Sequence, residues 1–200
     1  MDRHVSLVLA TRNPHKTCEF RRLLEPFGIS VEALPAGIEL PPETGETFAE
    51  NALPKALTAA ACTGRPAIAD DSGIEAQALG GAPGVRSARF AGERASDEEN
   101  LEKLVREAPV ASGLRYVCAI AYVDPGSGQR RLFFGDCRGT LAARRRGSRG
   151  FGYDPVFVPE EDSQHRTMAE LTDPEKDTIS HRGRAARALA EWLLLQVDRG

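Results

Sequence analysis

The sequence predicts an α/β protein built on a mixed β-sheet. An apolar run, Ser6-Leu7-Val8-Leu9-Ala10, is typical of a buried strand, and a helix-type pattern follows it directly. Further on, two strand-like runs flank the turn-forming residues Asp124-Pro125-Gly126-Ser127-Gly128. Strand–helix–strand units give parallel pairs and a hairpin gives an antiparallel pair, so one sheet should contain both directions. We expect a single domain over residues 1–200, within which two lobes could flank a cleft.

Capping residues indicate where the helices begin. Asn13 and Pro14 supply an N-cap and a first-turn proline, and Gly28 is placed to end that helix. Similar signals place a third helix after Ser96 and the last helix after Ser180. The apolar spacing predicts inward side chains at Phe20, Leu23 and Leu24 in the first helix and at Ala186, Leu189, Leu193 and Val197 in the last.

The second helix carries a conflicting signal. Thr47 and Glu50 form the pattern of a capping box, and an alanine-rich stretch continues through Ala60. Pro54 falls inside this stretch, where the missing N–H and the bulky ring should kink or shorten the helix.

A short strand over residues 67–69 is expected to run into a polar loop, Asp70-Asp71-Ser72-Gly73. The hairpin strands are predicted at residues 116–123 and 131–134.

The charge balance limits the kind of partner. The chain has 26 basic and 29 acidic residues, for a net charge of -3. This balance gives no general attraction to nucleic acid polymers or anionic membranes, so any anionic ligand must be held by a local cluster. The apolar run at residues 5–10 is too short for a signal-peptide core or a membrane span, and we expect a cytoplasmic protein.

The four cysteines, at positions 18, 62, 118 and 137, are widely spaced and contain no Cys-x-x-Cys pair. This spacing argues against a zinc knuckle or a disulfide framework. We expect buried thiols.

The first segment with chemical potential is Thr11-Arg12-Asn13-Pro14-His15-Lys16, where the first strand ends and the first helix begins. Unpaired N–H groups and the positive end of a helix dipole attract an anion there, and Lys16 can add a full charge. The glycines of a P-loop are absent. Phosphate binding is one interpretation, and plain helix capping beside a surface lysine is the other.

The second segment is the pair Asp70-Asp71. Adjacent carboxylates repel each other and favour a cation, and Mg²⁺ needs only one or two carboxylates together with phosphate oxygens and waters. One aspartate would then be a ligand and the other a general base. The alternative is a solvated Asp-Ser-Gly turn. The upstream acid Glu43 could complete a metal shell or simply favour a helix dipole.

Two later segments could form a pocket for a base. In Gly150-Phe151-Gly152-Tyr153-Asp154, glycines flank a ring on which a base can stack, although a tight turn with both aromatics in the core explains the same residues. Ser180 explains the start of the last helix, but capping does not require the pair His181-Arg182 that follows. This pair, with Lys176 just before it, could read the edge of a base or hold phosphate.

Together and in this order, these segments resemble the inosine/xanthosine triphosphate pyrophosphatase family, also called Ham1-like or RdgB-like. The resemblance covers nearly the whole chain, and its specificity comes from six short stretches in register. They are residues 9–16, 43–52, 69–74, 80–85 with 87–89, 151–155 and 180–183.

The resemblance implies an elongated mixed sheet flanked by helices, two lobes around a central active-site cleft, Mg²⁺ as cofactor and a homodimer. Asp71 would bind Mg²⁺ and accept a proton, and Glu43 and Asp70 complete the predicted metal-site acids. The residues implied in substrate binding are Thr11, Arg12, Asn13, Pro14, His15, Lys16, Lys55, Ser72, Phe151, Gly152, Tyr153, Asp154, Lys176, His181 and Arg182. Pro54 departs from the family pattern, which puts the reach of Lys55 in question.

The implied reaction is hydrolysis of noncanonical purine nucleoside triphosphates, such as ITP, dITP and XTP, to a monophosphate and pyrophosphate. Two rival functions are a nucleotide-binding regulator and a phosphatase that forms an aspartyl-phosphate. The regulator has no use for paired aspartates. The phosphatase requires Asp-x-Asp after the first strand, where this chain has Thr11-Arg12-Asn13.

Overall fold

The computed structural model describes residues 5–197, and the side chain of Val197 lies outside the described part. Six strands form one sheet in the order β2-β1-β3-β4-β5-β6. The strands are β1 Val5–Leu9, β2 Ile29–Ala33, β3 Ala67–Ala76, β4 Gly113–Val123, β5 Arg130–Leu141 and β6 Phe157–Pro159. The helices are α1 Pro14–Leu24, α2 Phe48–Thr63, α3 Asp97–Glu107, α4 Asp173–Ile179 and α5 His181–Val197.

The sheet is mixed, which confirms the predicted α/β class. Strand β1 pairs in parallel with β2, in a register that places Leu7 opposite Val31, and in parallel with β3, with Leu9 opposite Ile68. Strands β5 and β6 pair antiparallel, with Thr140 opposite Val158. Strands β4 and β5 are neighbours joined by the predicted turn, which two main-chain hydrogen bonds of 2.9 Å close at Asp124.

The predicted helix starts are confirmed. The side chain of Asn13 accepts hydrogen bonds at the start of α1, and capping boxes open α2 at Thr47 and α3 at Ser96. Helix α1 ends at Leu24, and Gly28 instead ends the short 3-10 turn that follows it. None of the helices in residues 5–197 is long and apolar enough to cross a membrane.

Pro54 was expected to kink or shorten α2, and the expected shortening is wrong. The helix runs from Phe48 to Thr63 with Pro54 inside it. Pro54 is exposed, so the carbonyl of Glu50, which loses its usual N–H partner, can face water.

The expected polar loop at residues 70–73 is also wrong, because these residues belong to the ten-residue strand β3. Asp70 and Asp71 are buried within it, with 1% and 5% of their surface exposed. Polar residues here mark a charged site within the sheet, where the sequence pattern suggested a turn.

Two compact units divide the chain. Unit 1 contains Met1–Asp71, Cys118–Phe134 and Arg184–Gly200, and unit 2 contains Ser72–Val117 and Gly135–Gly183. The main core of unit 1 joins β1, α1 and α5 through side chains such as Leu7, Phe20 and Leu189. The core of unit 2 includes Leu104, Tyr116 and Phe157. The single domain expected over residues 1–200 stays a prediction.

The cysteines differ in part from expectation. Cys118 and Cys137 are buried as predicted, whereas Cys18 on α1 and Cys62 near the end of α2 are exposed because they lie on outward helix faces. No disulfide links any of these four residues, all of which the structure describes.

Candidate active site

Unit 1 contains a buried cluster of acids and lysines. The consecutive residues Asp70 and Asp71 point to opposite faces of β3, as neighbours in a strand do. On one side, the Nζ atom of Lys16 lies 2.9 Å from the Oδ2 atom of Asp70. The first helical turn of α1 therefore brings its lysine to the first aspartate.

Lys55 holds the other side of the cluster. Its Nζ atom donates to the Oε1 atom of Glu43 at 2.6 Å and to the main-chain carbonyl of Asp70 at 2.7 Å. The same Nζ atom is 4.0 Å from the Oδ1 atom of Asp71. The unbroken helix α2 thus carries Lys55 into the acid cluster, which answers the question raised by Pro54.

Asn51 fixes the carboxyl group of Asp71. Its side-chain amide donates to Asp71 Oδ2 at 2.9 Å, and its carbonyl oxygen accepts from the main-chain N–H of Gly45 at 2.7 Å. Asn51 lies one turn before Lys55 on α2, so both side chains reach the strand from the same helix. One oxygen of Asp71 is therefore oriented by Asn51 and the other faces Lys55.

Burial and neighbouring charges of opposite sign have opposite effects on the pKa values of Asp71 and Lys55. Burial raises the pKa of Asp71, and Glu43 adds to the rise, while Lys55, the Asn51 hydrogen bond and Lys16 oppose it. Burial lowers the pKa of Lys55, but Asp70, Glu43 and Asp71 outweigh that effect, so the pKa of Lys55 is raised. A charged lysine thus lies beside a carboxyl group that binds a proton more readily than an exposed aspartate does.

The donor set fits a hard cation such as Mg²⁺. Within residues 5–197, no three His, Cys, Asp or Glu side chains form a group able to hold a metal ion by themselves. Mg²⁺ does not need such a group, because it binds through one or two carboxylates together with substrate phosphates and waters. Asp71 and Glu43 both approach one ammonium group, so a cation can be held by the same oxygens.

The segment at residues 11–16 caps the start of α1, which was one of its two interpretations, and phosphate binding there stays a prediction. The Oδ1 atom of Asn13 accepts from the main-chain N–H groups of His15 and Lys16, at 2.9 and 3.3 Å. The Asn13 N–H donates to the hydroxyl of Thr11 at 3.2 Å, and Pro14 begins α1. The expected unpaired amides of His15 and Lys16 therefore have a partner, and the lysine ammonium is the group directed at the cluster.

Arg12 is directed elsewhere. Its guanidinium donates to the main-chain carbonyls of Leu34, Pro35 and Ile38 at 3.1, 3.1 and 2.6 Å. These bonds fix the loop after β2. The role of Arg12 in substrate binding stays a prediction.

Unit 2 contains the residues predicted to bind the base, grouped around the buried Asp154. Its Oδ2 atom accepts from the Nζ atom of Lys176 at 2.7 Å and from the main-chain N–H of Phe151 at 3.0 Å. Its Oδ1 atom accepts from the hydroxyl of Tyr116 at 3.2 Å. Gly150 is required beside this group, because it has φ +73° and an added Cβ would lie 2.0 Å from Asp154 Oδ2.

The two aromatic residues of this turn have different environments. The Phe151 ring is half-buried, and Lys176 Nζ and Arg182 Cζ each lie 5.6 Å from its centre. Tyr153 is buried in the core, and its hydroxyl donates to the carbonyl of Ser87 at 2.7 Å. The prediction that an aromatic residue of this turn packs in the core therefore holds for Tyr153. Phe151 instead lies beside the cationic side chains of Lys176 and Arg182.

The start of α5 completes the group. Arg182 donates to the hydroxyl of Ser72 at 2.7 Å. The His181 ring stacks on Tyr116, with ring centres 4.6 Å apart and an angle of 9° between planes. Gly183 allows the first turn of α5 to lie close to the backbone of α4, because an added Cβ would lie 2.0 Å from the carbonyl oxygen of Asp177.

Sequence reasoning missed three residues of these two groups. Asn51 and Tyr116 reach their partners from positions far apart in sequence, and Asp97 accepts from the main-chain N–H of Gly152 at 3.1 Å. Asn51 carried a usable signal, since an amide one turn before a lysine on an alanine-rich helix has little reason to be buried otherwise. Tyr116 and Asp97 are explained locally as a strand residue and a first-turn acid, so no local signal distinguishes them.

The fold and the two side-chain groups define a class: a mixed-sheet α/β protein with a lysine-braced acid cluster and a second polar group beside a half-buried ring. The Ham1 family model matches residues 7–192, and the chain belongs to this family.

Individual relatives agree with this assignment. The chain is 52% identical over 198 residues to a dITP/XTP pyrophosphatase of Frankia alni, a match that covers 94% of this chain and 96% of that protein. It is 47% identical over 194 residues to a dITP/XTP pyrophosphatase of Yersinia pseudotuberculosis, covering 94% and 97%. Among solved structures, a HAM1 protein from Coxiella burnetii is similar with a TM-score of 0.83 and 38% identity, covering 95% of this chain and 98% of that one.

Proposed function

We propose that this chain hydrolyses noncanonical purine nucleoside triphosphates, such as ITP, dITP and XTP, to the monophosphate and pyrophosphate, and so removes deaminated purines from the nucleotide pool. Relatives named dITP/XTP pyrophosphatase align along nearly the whole chain. The observation that carries the chemistry is the buried Asp71 carboxyl group, oriented by Asn51 and facing Lys55. This arrangement supports a general base beside a polyphosphate.

In the proposed reaction, water attacks the α-phosphorus. The bond between the α-phosphorus and the oxygen that bridges to the β-phosphate breaks, and pyrophosphate leaves with that oxygen. Asp71 accepts the proton of the attacking water, for which its raised pKa is favourable. Lys16 and Lys55 offset the charge of the departing pyrophosphate. Asp71, Glu43 and Asp70 would hold Mg²⁺, which supplies further neutralisation of the phosphate oxygens.

Base selection in the proposal rests on the donors of unit 2. Lys176, His181 and Arg182 are buried and carry N–H donors, which suit a 6-oxo purine. Adenine presents an amino donor at that position. A buried donor left without a partner costs roughly 1–3 kcal/mol, so adenine nucleotides should bind more weakly.

The proposal also includes Mg²⁺ dependence, a homodimer and a cytoplasmic location, where the triphosphate pool is found. It includes no membrane and no nucleic acid polymer as partner. The near-balance of acidic and basic residues supports the last point.

The test is a product assay. The protein is incubated with Mg²⁺ and, separately, ITP, dITP, XTP, GTP and ATP, and both pyrophosphate and orthophosphate are measured. We expect pyrophosphate in equal amount to the monophosphate from ITP, dITP and XTP, little product from ATP, and loss of activity with EDTA that added Mg²⁺ restores. Orthophosphate alone would contradict the reaction, and binding without any product would favour the regulator.

A further inference from the structure

Tyr116 connects the residues of unit 2 that the proposed function assigns to the base. It lies on β4 and is buried, with 6% of its surface exposed. Its ring stacks on His181, and its hydroxyl donates to Asp154, the carboxylate that also binds Lys176 and the main chain of Phe151. One side chain therefore contacts two members of the group directly and two more through Asp154.

We propose that Tyr116 is a positioning residue for base recognition: its ring sets the plane of His181 and its hydroxyl sets the place of the Asp154–Lys176 pair. This inference rests on the proposed function, because it names what orients the base-reading donors. Tyr116 itself need not touch the substrate.

The ring of Tyr116 is well placed to orient His181. The planes of the Tyr116 and His181 rings differ by 9°. The Tyr116 ring also contacts the Phe157 ring, with ring centres 4.4 Å apart. Aromatic neighbours at such distances favour particular relative orientations. The imidazole of His181 is therefore restrained in a plane nearly parallel to the Tyr116 ring.

The hydroxyl of Tyr116 restrains a second base-reading donor, Lys176, through Asp154. Asp154 is 4% exposed and accepts three hydrogen bonds, of which the Tyr116 hydroxyl supplies the only one to Oδ1 among those measured for the described residues. Loss of this bond leaves the carboxylate held only at Oδ2, by Lys176 and the main chain of Phe151, so all three groups are positioned less firmly. Both donors and the half-buried ring thus depend on one residue.

A purely structural tyrosine would behave differently. Tyr116 belongs to the apolar core of unit 2, so its removal should lower stability in either case. A lower fraction of folded protein reduces kcat in proportion, but it leaves KM and the discrimination between two bases unchanged. Those two quantities separate positioning from packing.

The experiment compares Tyr116→Phe, which removes only the hydroxyl, with Tyr116→Leu, which also removes the stacking ring. Tyr122→Phe and Tyr122→Leu are the matched controls, because Tyr122 lies on the same strand with 5% exposure and packs in the core of unit 1 against Trp192. For each variant we measure kcat and KM for dITP, the inhibition constant of dATP, and the thermal midpoint.

We expect Tyr116→Phe to raise KM for dITP about three- to tenfold, the range of one hydrogen bond, with kcat within about twofold of the wild type. Tyr116→Leu should raise KM further, by about tenfold or more in total, since the aromatic contact is also lost. The inhibition constant of dATP should change less than the KM of dITP, so discrimination falls. Both Tyr122 variants should keep the wild-type KM even if their thermal midpoints fall.

An unchanged KM in both Tyr116 variants, or equal changes for dITP and dATP, would overturn the proposal. If the wild type binds dITP without releasing pyrophosphate, the proposed reaction fails and the dissociation constants for dITP replace KM in the same comparison. If the wild type neither binds nor cleaves dITP, both proposals fail.

Discussion

At the scale of single residues, Asp71 is held between opposing effects. Burial in β3 favours its protonated form, whereas Lys55 and the Asn51 amide favour the carboxylate. The balance leaves the pKa above its usual value. A carboxyl group in this state accepts a proton more readily than a solvent-exposed one, as general base catalysis requires.

The first prediction concerns catalysis by Asp71. Asp71→Asn should reduce kcat by at least about a hundredfold, because the amide cannot accept the proton, a role typically worth 10²–10⁴-fold. Binding of dITP should persist, since Lys16 and Lys55 remain. Turnover and equilibrium binding are measured separately, with Asp124→Asn in the hairpin turn as control for the same chemical change. Retained turnover in Asp71→Asn would refute the base assignment.

The second prediction concerns pH and stability. Because the folded-state pKa of Asp71 is raised, this group favours folding when protonated, and that contribution is lost as pH rises through the folded-state pKa. Asp71→Asn carries no such charge, so its thermal midpoint relative to the wild type should increase over the same pH range. Differential scanning calorimetry across the acidic to neutral range checks the sign. A relative midpoint that falls with rising pH would contradict the raised pKa.

The same residue shows what a sequence can reveal about this site. The acid pair, Lys16 and Lys55 were identified from motif and resemblance, and the structure brings them together in unit 1. Asn51 and Tyr116 were missed, because their partners lie 20 and 38 residues away and only the folded sheet joins them. The pairing of Tyr116 with Asp154 has no local pattern, whereas Asn51 carries only the signal of an amide one turn before Lys55.

At the scale of secondary structure, the capped starts of α1, α2 and α3 were predicted, whereas α4, which also has a capping box at Thr172, and the full length of the strand that contains the site were not. Capping boxes are local signals, so Thr47 and Ser96 marked the starts of α2 and α3 correctly. Strand β3 was cut short at Ala69, because buried aspartates resemble a turn when their lysine partners are not known. Tertiary ion pairs override the local preference there.

The third prediction follows from the proline inside α2. Pro54→Ala should raise the free energy of unfolding by about 1–2 kcal/mol, because alanine restores the helical N–H and removes the ring, partly offset by a freer unfolded chain. The thermal midpoint should rise by roughly 2–8 °C. Pro174→Ala is the control, since that proline lies in the first turn of α4 where it is compatible with the helix. An unchanged midpoint for Pro54→Ala would show that α2 already accommodates the ring without cost.

The fourth prediction tests the turn at Gly150. Gly150→Ala should lower the free energy of unfolding by about 2–4 kcal/mol. The added methyl group would collide with the Asp154 carboxylate, and alanine is also disfavoured at the positive φ of this position. Gly64→Ala has a similar φ of +65° with open space around it, so it should cost only about 1–2 kcal/mol. Chemical unfolding measures both. Equal losses would show that the contact with Asp154 adds nothing.

At the scale of the whole molecule, three strands contribute residues to both units. Strand β3 supplies residues 67–71 to unit 1 and 72–76 to unit 2, and β4 and β5 are divided in the same way. A strand that loses its hydrogen bonds along one half loses support along the other. The two units should therefore unfold together.

The fifth prediction makes this measurable with Trp192, the single tryptophan. Its ring contacts Tyr122 and Phe133 in unit 1, so its fluorescence reports on that unit, whereas far-ultraviolet circular dichroism reports on the helices of both. The two urea transitions should have one midpoint. Gly150→Ala, a change in unit 2, should shift the tryptophan transition as far as the dichroism transition. Separate midpoints would show that the units unfold independently.

The place of α5 in the core of unit 1 matters for how the protein is made. Leu7 and Phe20 pack in one core with side chains of α5 such as Ala186 and Leu189, which are synthesised 166 to 182 residues later. A ribosome that has delivered β1, α1 and β2 has produced an apolar surface whose covering helix has not yet been synthesised. The nascent chain must keep that surface shielded until α5 has been synthesised and has left the ribosome.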